Sequence, residues 1–321
     1  MRSERGELLL GIDGGGTKTE FVLFDRRGQA VRRLVLGGSN PNSVGMEQTL
    51  RVLTEGIRQM TDASGALAGV HAGVAGCSNP NHQQTIRAAM GERFAQLPFS
   101  ISSDTMNVFY SAPGVQADIA AICGTGSVVF ARTQSGFTRI GGWGYAFDCG
   151  GSGYDIGRDA VRAVFAAYDG IGPQTALCAL LEEAVGGNLW ENVHRLYAAP
   201  PEKIAGFAPK VLAAWEAGDE VAREILQRNM ERLAFLINSA AQLVPGARNL
   251  ILSGGLTARV DMLGTFLYPK LLPALQTIIP QTPQIYGACA LCARQYGGQE
   301  EGFAQEFMRS YRKIREADAS C

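Results

Sequence analysis

Short apolar runs separated by glycine and polar turns occupy the first part of the chain. The segment Leu8–Phe24 contains an apolar run, a turn with three consecutive glycines and a second apolar run. A polar turn at Asp25–Gly28 follows, and then a third run at Ala30–Leu36. Runs of this length, bounded by turn residues, are typical of strands. The pattern therefore predicts an antiparallel β-meander whose first turn is glycine-rich.

The pattern then changes to helical spacing. Met46–Ala63 carries apolar residues three or four positions apart, which predicts an amphipathic helix. Strands are predicted at Leu67–Gly73 and Phe99–Ser102, with a helix from Asn81 to Phe94 between them. A meander followed by alternating helices and strands predicts an α/β fold.

The meander pattern occurs a second time. Asp118–Ala131 is again a strand, a glycine turn and a strand, and a third short strand follows. A buried strand is predicted at Asn249–Leu252. The remaining predicted helices are Tyr154–Tyr168, Thr175–Val185, Leu189–Tyr197, Lys203–Ala217, Glu220–Leu243, Val260–Leu275, Ile285–Tyr296 and Phe303–Ala317. The repeat predicts two domains, 1–114 completed by a C-terminal helix at 302–321, and 115–301.

Composition and charge narrow the possible functions. The 321 residues are 46% hydrophobic and carry a net charge of −1, so nothing indicates a nucleic-acid partner. No run is long enough to span a membrane, and the charged start of the chain does not resemble a signal peptide. Seven scattered cysteines are an odd set, which favours reduced thiols and a cytoplasmic location. The single Cys-x-x-Cys pair, Cys289 and Cys292, is expected to be structural.

The first glycine turn offers groups that suit a phosphate. Backbone amides at Gly15 and Gly16 can approach an anion closely, and Thr17 and Lys18 add a hydroxyl and a positive charge. Asp13 stands where a hydrated Mg²⁺ could join it to the phosphate. The order of residues, followed by a strand, excludes a P-loop and a dinucleotide-binding turn. An ordinary hairpin turn remains the alternative.

A second turn, Gly124, Thr125, Gly126 and Ser127, repeats this chemistry. Two such turns could face each other across a cleft and hold the phosphates of one nucleotide. A third glycine turn, with Gly254 and Gly255, follows the strand at Asn249 and could let an adenine ring lie on the backbone. The repetition favours phosphate binding over two unrelated hairpin turns.

Other residues suggest a substrate with hydroxyl groups. Asp104 follows a predicted strand, where a carboxylate could accept a proton from an attacking hydroxyl. The alternative is an N-cap for a helix over Met106–Ser111. Asn40 lies in a loop that suits sugar hydroxyls or simple turn chemistry. Trp143, between Gly142 and Gly144, could stack on a sugar ring or be a buried structural residue.

Four charged residues on the predicted helix after Trp143 are expected to be structural. Asp155, Arg158, Asp159 and Arg162 have helical spacing and are expected to form a solvated face of paired charges.

Three motifs together resemble a known superfold. DGGGTKT, ICGTGS and LSGGL stand in the order of the phosphate-1, phosphate-2 and adenosine motifs of the actin/Hsp70/sugar-kinase proteins. The GGWG segment and the helix after it resemble the N-acetylglucosamine kinase and BadF/BadG/BcrA/BcrD-type ATPase branch. The resemblance covers nearly the whole chain. It implies a two-domain actin-like (ribonuclease H-like) ATPase fold with a duplicated core and an interdomain cleft.

The resemblance also implies roles for particular residues. The substrates would be Mg-ATP and an amino sugar, N-acetylglucosamine or glucosamine, phosphorylated on its 6-hydroxyl by a cytoplasmic homodimer. Asp104 would be the general base, and Asp13 would act on Mg²⁺ through water. The ATP residues would be Gly15, Gly16, Thr17, Lys18, Gly124, Thr125, Gly126, Ser127, Gly254 and Gly255. The sugar residues would be Asn40, Asp104, Gly142, Trp143, Gly144, Asp148 and Cys149.

The chain departs from this branch at one segment. Where the branch usually has Gly-Asp-Glu-Gly, this chain has Asp148-Cys149-Gly150-Gly151, so the acid is displaced and the glutamate is missing. The segment is also faintly similar to ATPases that activate 2-hydroxyacyl-CoA dehydratases through an iron–sulfur cluster. A cluster would need a second cysteine, for which Cys178 is the candidate. A non-catalytic nucleotide sensor is the third possibility, if Asp104 serves only as a cap.

Overall fold

The computed structural model describes residues 8–64, 67–148 and 150–318, without the side chains of residues 63 and 64. Two compact units divide the chain. Unit 1 contains the described residues up to Gln116 together with those from Pro280 onward, and unit 2 is Ala117–Ile279. In the described residues no helix has the length and apolar character needed to cross a membrane.

The strands fall into two sheets, one in each unit. In chain order they are β1 (Leu8–Gly14), β2 (Lys18–Phe24), β3 (Ala30–Gly37), β4 (Leu67–Val74), β5 (Phe99–Ser102), β6 (Ile119–Cys123), β7 (Ser127–Thr133), β8 (Gly136–Gly141), β9 (Asn249–Ser253) and β10 (Gln276–Ile278). Both predicted meanders are present with glycine turns between their first two strands.

The helices connect the strands and cover the sheets. In chain order they are α1 (Pro41–Val44), α2 (Met46–Ser64), α3 (Pro80–Arg93), α4 (Asp104–Phe109), α5 (Gly153–Tyr168), α6 (Leu177–Val185), α7 (Val193–Tyr197), α8 (Pro201–Ala205), α9 (Ala208–Glu216), α10 (Glu220–Gln242), α11 (Val260–Met262), α12 (Tyr286–Tyr296) and α13 (Phe303–Asp318). Several elements differ in detail from the predictions, and the α-helix expected at Leu189–Tyr197 begins only at Val193. Lys203–Ala217 is two helices, and Val260–Leu275 is a short α-helix followed by π-helical and 3₁₀ turns. Strand β10 falls in a passage where none was predicted.

The two sheets have the same topology, which is the structural form of the sequence repeat. Their strand orders are β3-β2-β1-β4-β5 and β8-β7-β6-β9-β10. In each sheet the first three strands pair antiparallel and the last two are added in parallel. In each of these sheets the glycine turn follows the central strand. It therefore lies at the end of the sheet where the two parallel strands also end.

The division of the chain differs from the predicted domains. The segment 280–301, expected in the second domain, belongs to unit 1. Helix α12 packs on β1 so closely that a side chain at Gly11 would collide with Cys289. Cys292 lies within hydrogen-bonding distance of the Leu10 carbonyl, with Sγ and O 3.4 Å apart. Burial of these two thiols against β1 fixes α12 in unit 1.

Helix α13 completes the core of unit 1. Phe303 and Phe307 pack edge-on against Phe24 of β2, with ring centroids 5.7 and 6.4 Å apart. The Tyr311 hydroxyl donates a hydrogen bond to Glu20 Oε1 at 2.6 Å. Tyr311 and Glu20 are both buried, so the helix contributes a polar anchor as well as an apolar face.

Candidate active site

The turn between β1 and β2 is held by its own backbone and by the loop that follows β3. The Gly15 amide donates to the Lys18 carbonyl at 2.9 Å. The Gly15 carbonyl accepts from the amides of Ser39 and Asn40 at 2.9 and 3.1 Å. Gly16, Thr17 and Lys18 are exposed. The turn therefore presents polar groups to solvent, and the loop with Asn40 is docked directly on it.

Asn40 itself caps a short helix that the sequence did not reveal. Its side chain accepts a hydrogen bond from the Asn42 amide at 3.0 Å, at the start of α1. Asn40 thus has the capping role of a turn residue, and its backbone also binds the first glycine turn. The Asn40 Nδ2 donates to no other described residue, and it remains available to a ligand.

Two carboxylates of unit 1 interact near the ends of β1 and β5. Asp13 is the penultimate residue of β1, and its Oδ1 accepts a hydrogen bond from Asn107 Nδ2 at 2.7 Å. Burial raises the pKa of Asp13 to about 7. The hydrogen bond from Asn107 opposes this rise and the negative charge of Asp104 adds to it. Asp13 thus sits where a compensating positive charge would be strongly favoured.

Asp104 is not the N-cap of the helix that follows β5. Helix α4 begins at Asp104 itself, and Ser103 is its cap. Asp104 Oδ1 accepts from the Ser103 hydroxyl and from the Thr105 amide, both at 3.0 Å. Its Oδ2 accepts from no described residue. Burial raises the pKa of Asp104 above its usual range, although these hydrogen bonds oppose the rise.

Asn107 was not among the predicted site residues, but the structure links it to Asp13. Asn107 lies one helical turn after Asp104, and it is only 2% exposed. A side chain at Gly73 would collide with its amide group, and one at Gly287 would collide with its backbone. Its Oδ1 is buried without a hydrogen-bond partner among the described residues. Tight packing on both sides therefore fixes the Asn107 amide against Asp13.

In unit 2 the equivalent turn joins β6 to β7 and is tied to the start of α5. The Gly124 amide donates to the Gly126 carbonyl at 2.9 Å. The amide of Gly153, the first residue of α5, donates to the Gly124 carbonyl at 2.7 Å. Thr125 and Gly126 are exposed, but Ser127 is buried and its hydroxyl donates to the Gly150 carbonyl at 3.0 Å. The Ser127 hydroxyl is therefore committed within the unit.

The third glycine turn lies beside the second. Gly254 has a φ of 109°, and a side chain there would collide with the Cys123 carbonyl. Gly255 begins a 3₁₀ turn and has open space where a side chain would be. A Cβ at Gly124 would be 3.9 Å from the Gly255 amide nitrogen. The two predicted nucleotide motifs of unit 2 are thus neighbours.

The segment around Trp143 depends on glycine conformations. Gly142 and Gly144 have φ angles of 72° and 102°, which favour glycine. Trp143 is 66% exposed, so it is not a buried structural residue. The Arg139 guanidinium lies 3.9 Å from the centroid of its ring. The indole is therefore braced by a cation and presents the rest of its surface to solvent.

Asp148 holds this loop together. Its two carboxylate oxygens accept from the amides of Trp143 and Gly144, at 3.0 and 3.1 Å. Asp148 therefore fixes the backbone of the predicted sugar loop. Cys149, the other residue proposed here, lies outside the described residues.

The remaining candidate metal ligands do not gather. The described residues contain no group of three or more His, Cys, Asp or Glu placed to hold a metal ion. Cys289 and Cys292 are buried, and burial raises the pKa of the Cys292 thiol to about 12. His71 is also buried, and its two ring nitrogens face the hydroxyls of Ser100 and Ser102 at 2.9 and 3.2 Å. The Cys-x-x-Cys pair is therefore structural.

The fold and these groups define an α/β protein of the actin-like ATPase type, with a meander–helix core that occurs twice. The chain belongs to the BadF/BadG/BcrA/BcrD ATPase family, whose model matches residues 10–292. The resemblance and the fold class inferred from the sequence are thereby confirmed.

Individual proteins that are similar to this chain are described as amino-sugar kinases. The chain is 29% identical to an N-acetyl-D-glucosamine kinase of Dictyostelium discoideum, over 83% of this chain and 90% of that protein. It is 25% identical to the glucosamine kinase GspK of Vibrio cholerae, over 87% and 93%. A Chromobacterium violaceum structure, provisionally described as an N-acetylglucosamine kinase, superposes with a TM-score of 0.69 at 26% identity, covering 90% of this chain and 99% of that one.

Proposed function

We propose that this protein is an ATP-dependent kinase that phosphorylates the 6-hydroxyl of an amino sugar, N-acetylglucosamine or glucosamine. The observation that carries the proposal is Asp104, a partly buried carboxylate with one unengaged oxygen, in the same unit as the first glycine turn. The family assignment and the names of the relatives support the reaction class.

Asp104 would act as the general base. Its Oδ1 is held by Ser103 and Thr105, so Oδ2 is left to accept the proton of the sugar hydroxyl. A raised pKa makes the carboxylate a better proton acceptor near neutral pH. The hydroxyl oxygen forms the new bond to the terminal phosphorus of ATP, and the bond from that phosphorus to ADP breaks. Positioning and charge stabilisation supply most of such a reaction.

The exposed turns would bind ATP. In unit 1 the groups are Gly15, Gly16, Thr17 and Lys18. In unit 2 they are Gly124, Thr125, Gly126, Gly254 and Gly255, with Ser127 contributing through its backbone because its hydroxyl is engaged.

The residues also fit Mg²⁺. A partly buried Asp13 carboxyl with a pKa of about 7 is a group whose ionised form a nearby cation would stabilise. Asp13 would hold the ion through water while Asn107 fixes its orientation. When bound, Mg²⁺ neutralises charge on the transferring phosphoryl group.

The sugar would be recognised by Asn40, Gly142, Trp143 and Gly144 together with Asp104. Asp148 would contribute by holding the loop, since its carboxylate is engaged by two amides. Cys149 would contribute because it is the next residue after Asp148 in the chain. The free thiols of the described cysteines support a reducing, cytoplasmic setting. A homodimer is proposed from the sequence resemblance alone.

The test is ATP consumption measured over a panel of sugars, with the product identified as the 6-phosphate. We expect turnover that depends on glucosamine or N-acetylglucosamine and on Mg²⁺. Asp104→Asn is expected to lower kcat by about 10²–10⁴-fold. The matched control is Asp62→Asn, an exposed aspartate on α2. Full turnover by Asp104→Asn would disprove the role of the base, and sugar-independent ATP hydrolysis would disprove the kinase.

The same assay separates the alternatives. A brown chromophore in anaerobic preparations would indicate the iron–sulfur activator. Tight ATP binding without turnover on any sugar would indicate the nucleotide sensor. The named relatives favour neither of these, because both are sugar kinases.

A further inference from the structure

A cavity of about 590 Å³ opens in unit 2 between helices α5 and α10. Its wall contains four arginines, Arg158 and Arg162 from α5 and Arg228 and Arg232 from α10. Asp148, Glu231 and Phe235 complete the wall. None of these seven residues has a part in the proposed reaction except Asp148. A volume of this size suits a small ligand rather than a macromolecule.

Three of the arginines gather around one buried carboxylate. Asp159, which was expected on a solvated face, is 6% exposed because α10 covers it, and Asp155 is likewise buried. Guanidinium nitrogens of Arg158, Arg162 and Arg228 lie 3.5, 3.6 and 3.7 Å from Asp159 oxygens. These distances hold the side chains electrostatically but are too long for good hydrogen bonds. Arg158 also pairs with Asp155 at 3.0 Å and its Nε is buried, so it is committed within the fold. Arg162 and Arg228, in contrast, keep most of their N–H donors free.

Arg232 is the fourth arginine, and it has no acidic partner. Within the described part of the chain it makes neither a hydrogen bond nor an ion pair, and it is exposed. Its aliphatic stem packs on Gly150, where a Cβ would be 2.6 Å from Arg232 Cδ. Position 150 lies in the segment where this chain departs from its branch. Because it is a glycine, Arg232 has room to line the cavity. A guanidinium carries five N–H donors in a fork that matches phosphate oxygens.

Counting Lys270, which pairs with Glu231, five basic groups meet four carboxylates here, so one net positive charge is left for an anion. The acidic groups that face the arginines are Asp155 and Asp159 behind them, and Asp148 and Glu231 in the wall. Asp148 is engaged by two backbone amides, and Glu231 by Lys270 at 2.9 Å. Phe235 is 69% exposed and offers an apolar surface beside the guanidinium groups. A phosphate group attached to a small carbon skeleton would satisfy both kinds of surface.

We propose that this cavity is a binding site for a phosphate monoester, with Arg228 and Arg232 as its principal donors. The site lies wholly in unit 2 and shares only Asp148 with the proposed ATP and sugar groups. Asp148 lines the cavity and also accepts a hydrogen bond from the Trp143 amide. A ligand in the cavity would therefore lie next to the loop of Trp143. Binding needs no turnover, so the proposal does not depend on the kinase assignment.

The test is isothermal titration calorimetry of the full chain with two probes, inorganic phosphate and glucosamine 6-phosphate, and with uncharged glucosamine for comparison. We expect Arg232→Gln and Arg228→Gln each to weaken binding of the phosphorylated probes by about tenfold. Arg232→Lys, which keeps the charge but loses the fork, is expected to weaken binding less. Arg232 has no partner in the fold, so its variants are expected to remain folded.

The matched control is Arg223→Gln, which lies on the same helix but outside the cavity and pairs with Glu220. It is expected to leave binding unchanged. Binding of glucosamine 6-phosphate alone would assign the site to the ester, and equal binding of both probes would assign it to the phosphate group. The proposal is overturned if neither probe binds. It is also overturned if binding survives Arg228→Gln and Arg232→Gln unchanged, since the phosphate would then be held at the glycine turns.

Discussion

Replacing Asp13 with asparagine is expected to stabilise metal-free unit 1 at neutral and alkaline pH. The pKa of this carboxyl is about 7 in the folded protein, against an ordinary value of 3.8. Between these two values the folded state binds more protons than the unfolded state. The stability of the wild type therefore falls as the pH rises through this window. Asparagine has no charge to bury, and it can still accept the hydrogen bond from Asn107.

The magnitude follows from the difference between the two pKa values. About three pKa units at about 1.4 kcal/mol each give a cost of about 4 kcal/mol for the ionised carboxylate. The variant is therefore expected to exceed the wild type by about 2 kcal/mol at pH 5 and about 4 kcal/mol at pH 8. In a unit of this size the melting temperature at pH 8 would rise by on the order of 10 °C.

The assay must report on unit 1. All three tryptophans, Trp143, Trp190 and Trp215, lie in unit 2, so intrinsic tryptophan fluorescence would miss the effect. Differential scanning calorimetry from pH 5 to 8 in the presence of a chelator, with hydrogen exchange of β1 peptides, measures it directly. Asp62→Asn is the control, because Asp62 is exposed and its replacement is expected to change nothing.

Two results would refute the reasoning. If Asp13→Asn followed the same pH profile as the wild type, ionisation of Asp13 would not be the cost. If it were less stable at pH 8, the carboxylate would be favourable in the fold. A variant that is more stable yet loses Mg²⁺-dependent turnover is the expected pattern for a group kept for function.

Other substitutions test the packing and the site. Asn107→Ala is expected to raise the Mg²⁺ concentration for half-maximal turnover by about tenfold, because it removes a charge-assisted hydrogen bond. Tyr311→Phe should lower unfolding free energy by about 1–2 kcal/mol in urea titrations, since buried Glu20 loses a donor. Gly157→Ala should lower it by about 1–3 kcal/mol, because the new methyl group meets a backbone carbonyl of α8. Gly91→Ala, with open space, should raise it by about 0.5–1 kcal/mol.

Each of these has a contrary outcome. An unchanged Mg²⁺ dependence in Asn107→Ala would leave that residue a purely structural role. Wild-type stability in Tyr311→Phe would mean that the hydroxyl is as well hydrated in the unfolded chain. If Gly157→Ala and Gly91→Ala changed the free energy of unfolding equally, contact with α8 would not determine whether an alanine stabilises or destabilises the protein.

Local signals were enough to predict much of the fold. The short apolar runs and the glycines between them predicted both meanders and their turns. The repeated order predicted two equivalent sheets. The N-cap of α10 is another local feature, because Asp219 directly precedes the helix and its side chain accepts from the Ala222 amide at 2.8 Å. These features depend on residues close together in the chain.

The errors lie where distant segments meet. Asp155 and Asp159 have the spacing of a solvated face, but both are buried, Asp159 against α10, and no local pattern shows what covers a helix. The assignment of 280–301 failed for the same reason, because it depends on the contact of Gly11 with Cys289. At α4 both Ser103 and Asp104 are good caps, and the backbone alone decides between them.

The candidate site divides in the same way. Asp13, Asp104 and the glycine turns were selected by motif, and the structure gives them the burial and hydrogen bonds described above. Asn107 had no motif, although its place one helical turn after Asp104 was a usable signal. Its contact with Asp13 joins residues 94 positions apart, which spacing alone does not reveal.

The docking of α12 and α13 on the first sheet has a consequence for how the protein is made. Unit 2 is one continuous stretch and can form its core before α12 and α13 have left the ribosome. Unit 1 cannot, since in the described residues the apolar cluster around Leu9, Val22 and Phe24 takes most of its members from α12 and α13. The usual N-to-C order of domain folding during synthesis is therefore reversed. The first sheet remains partly uncovered until α12 and α13 emerge.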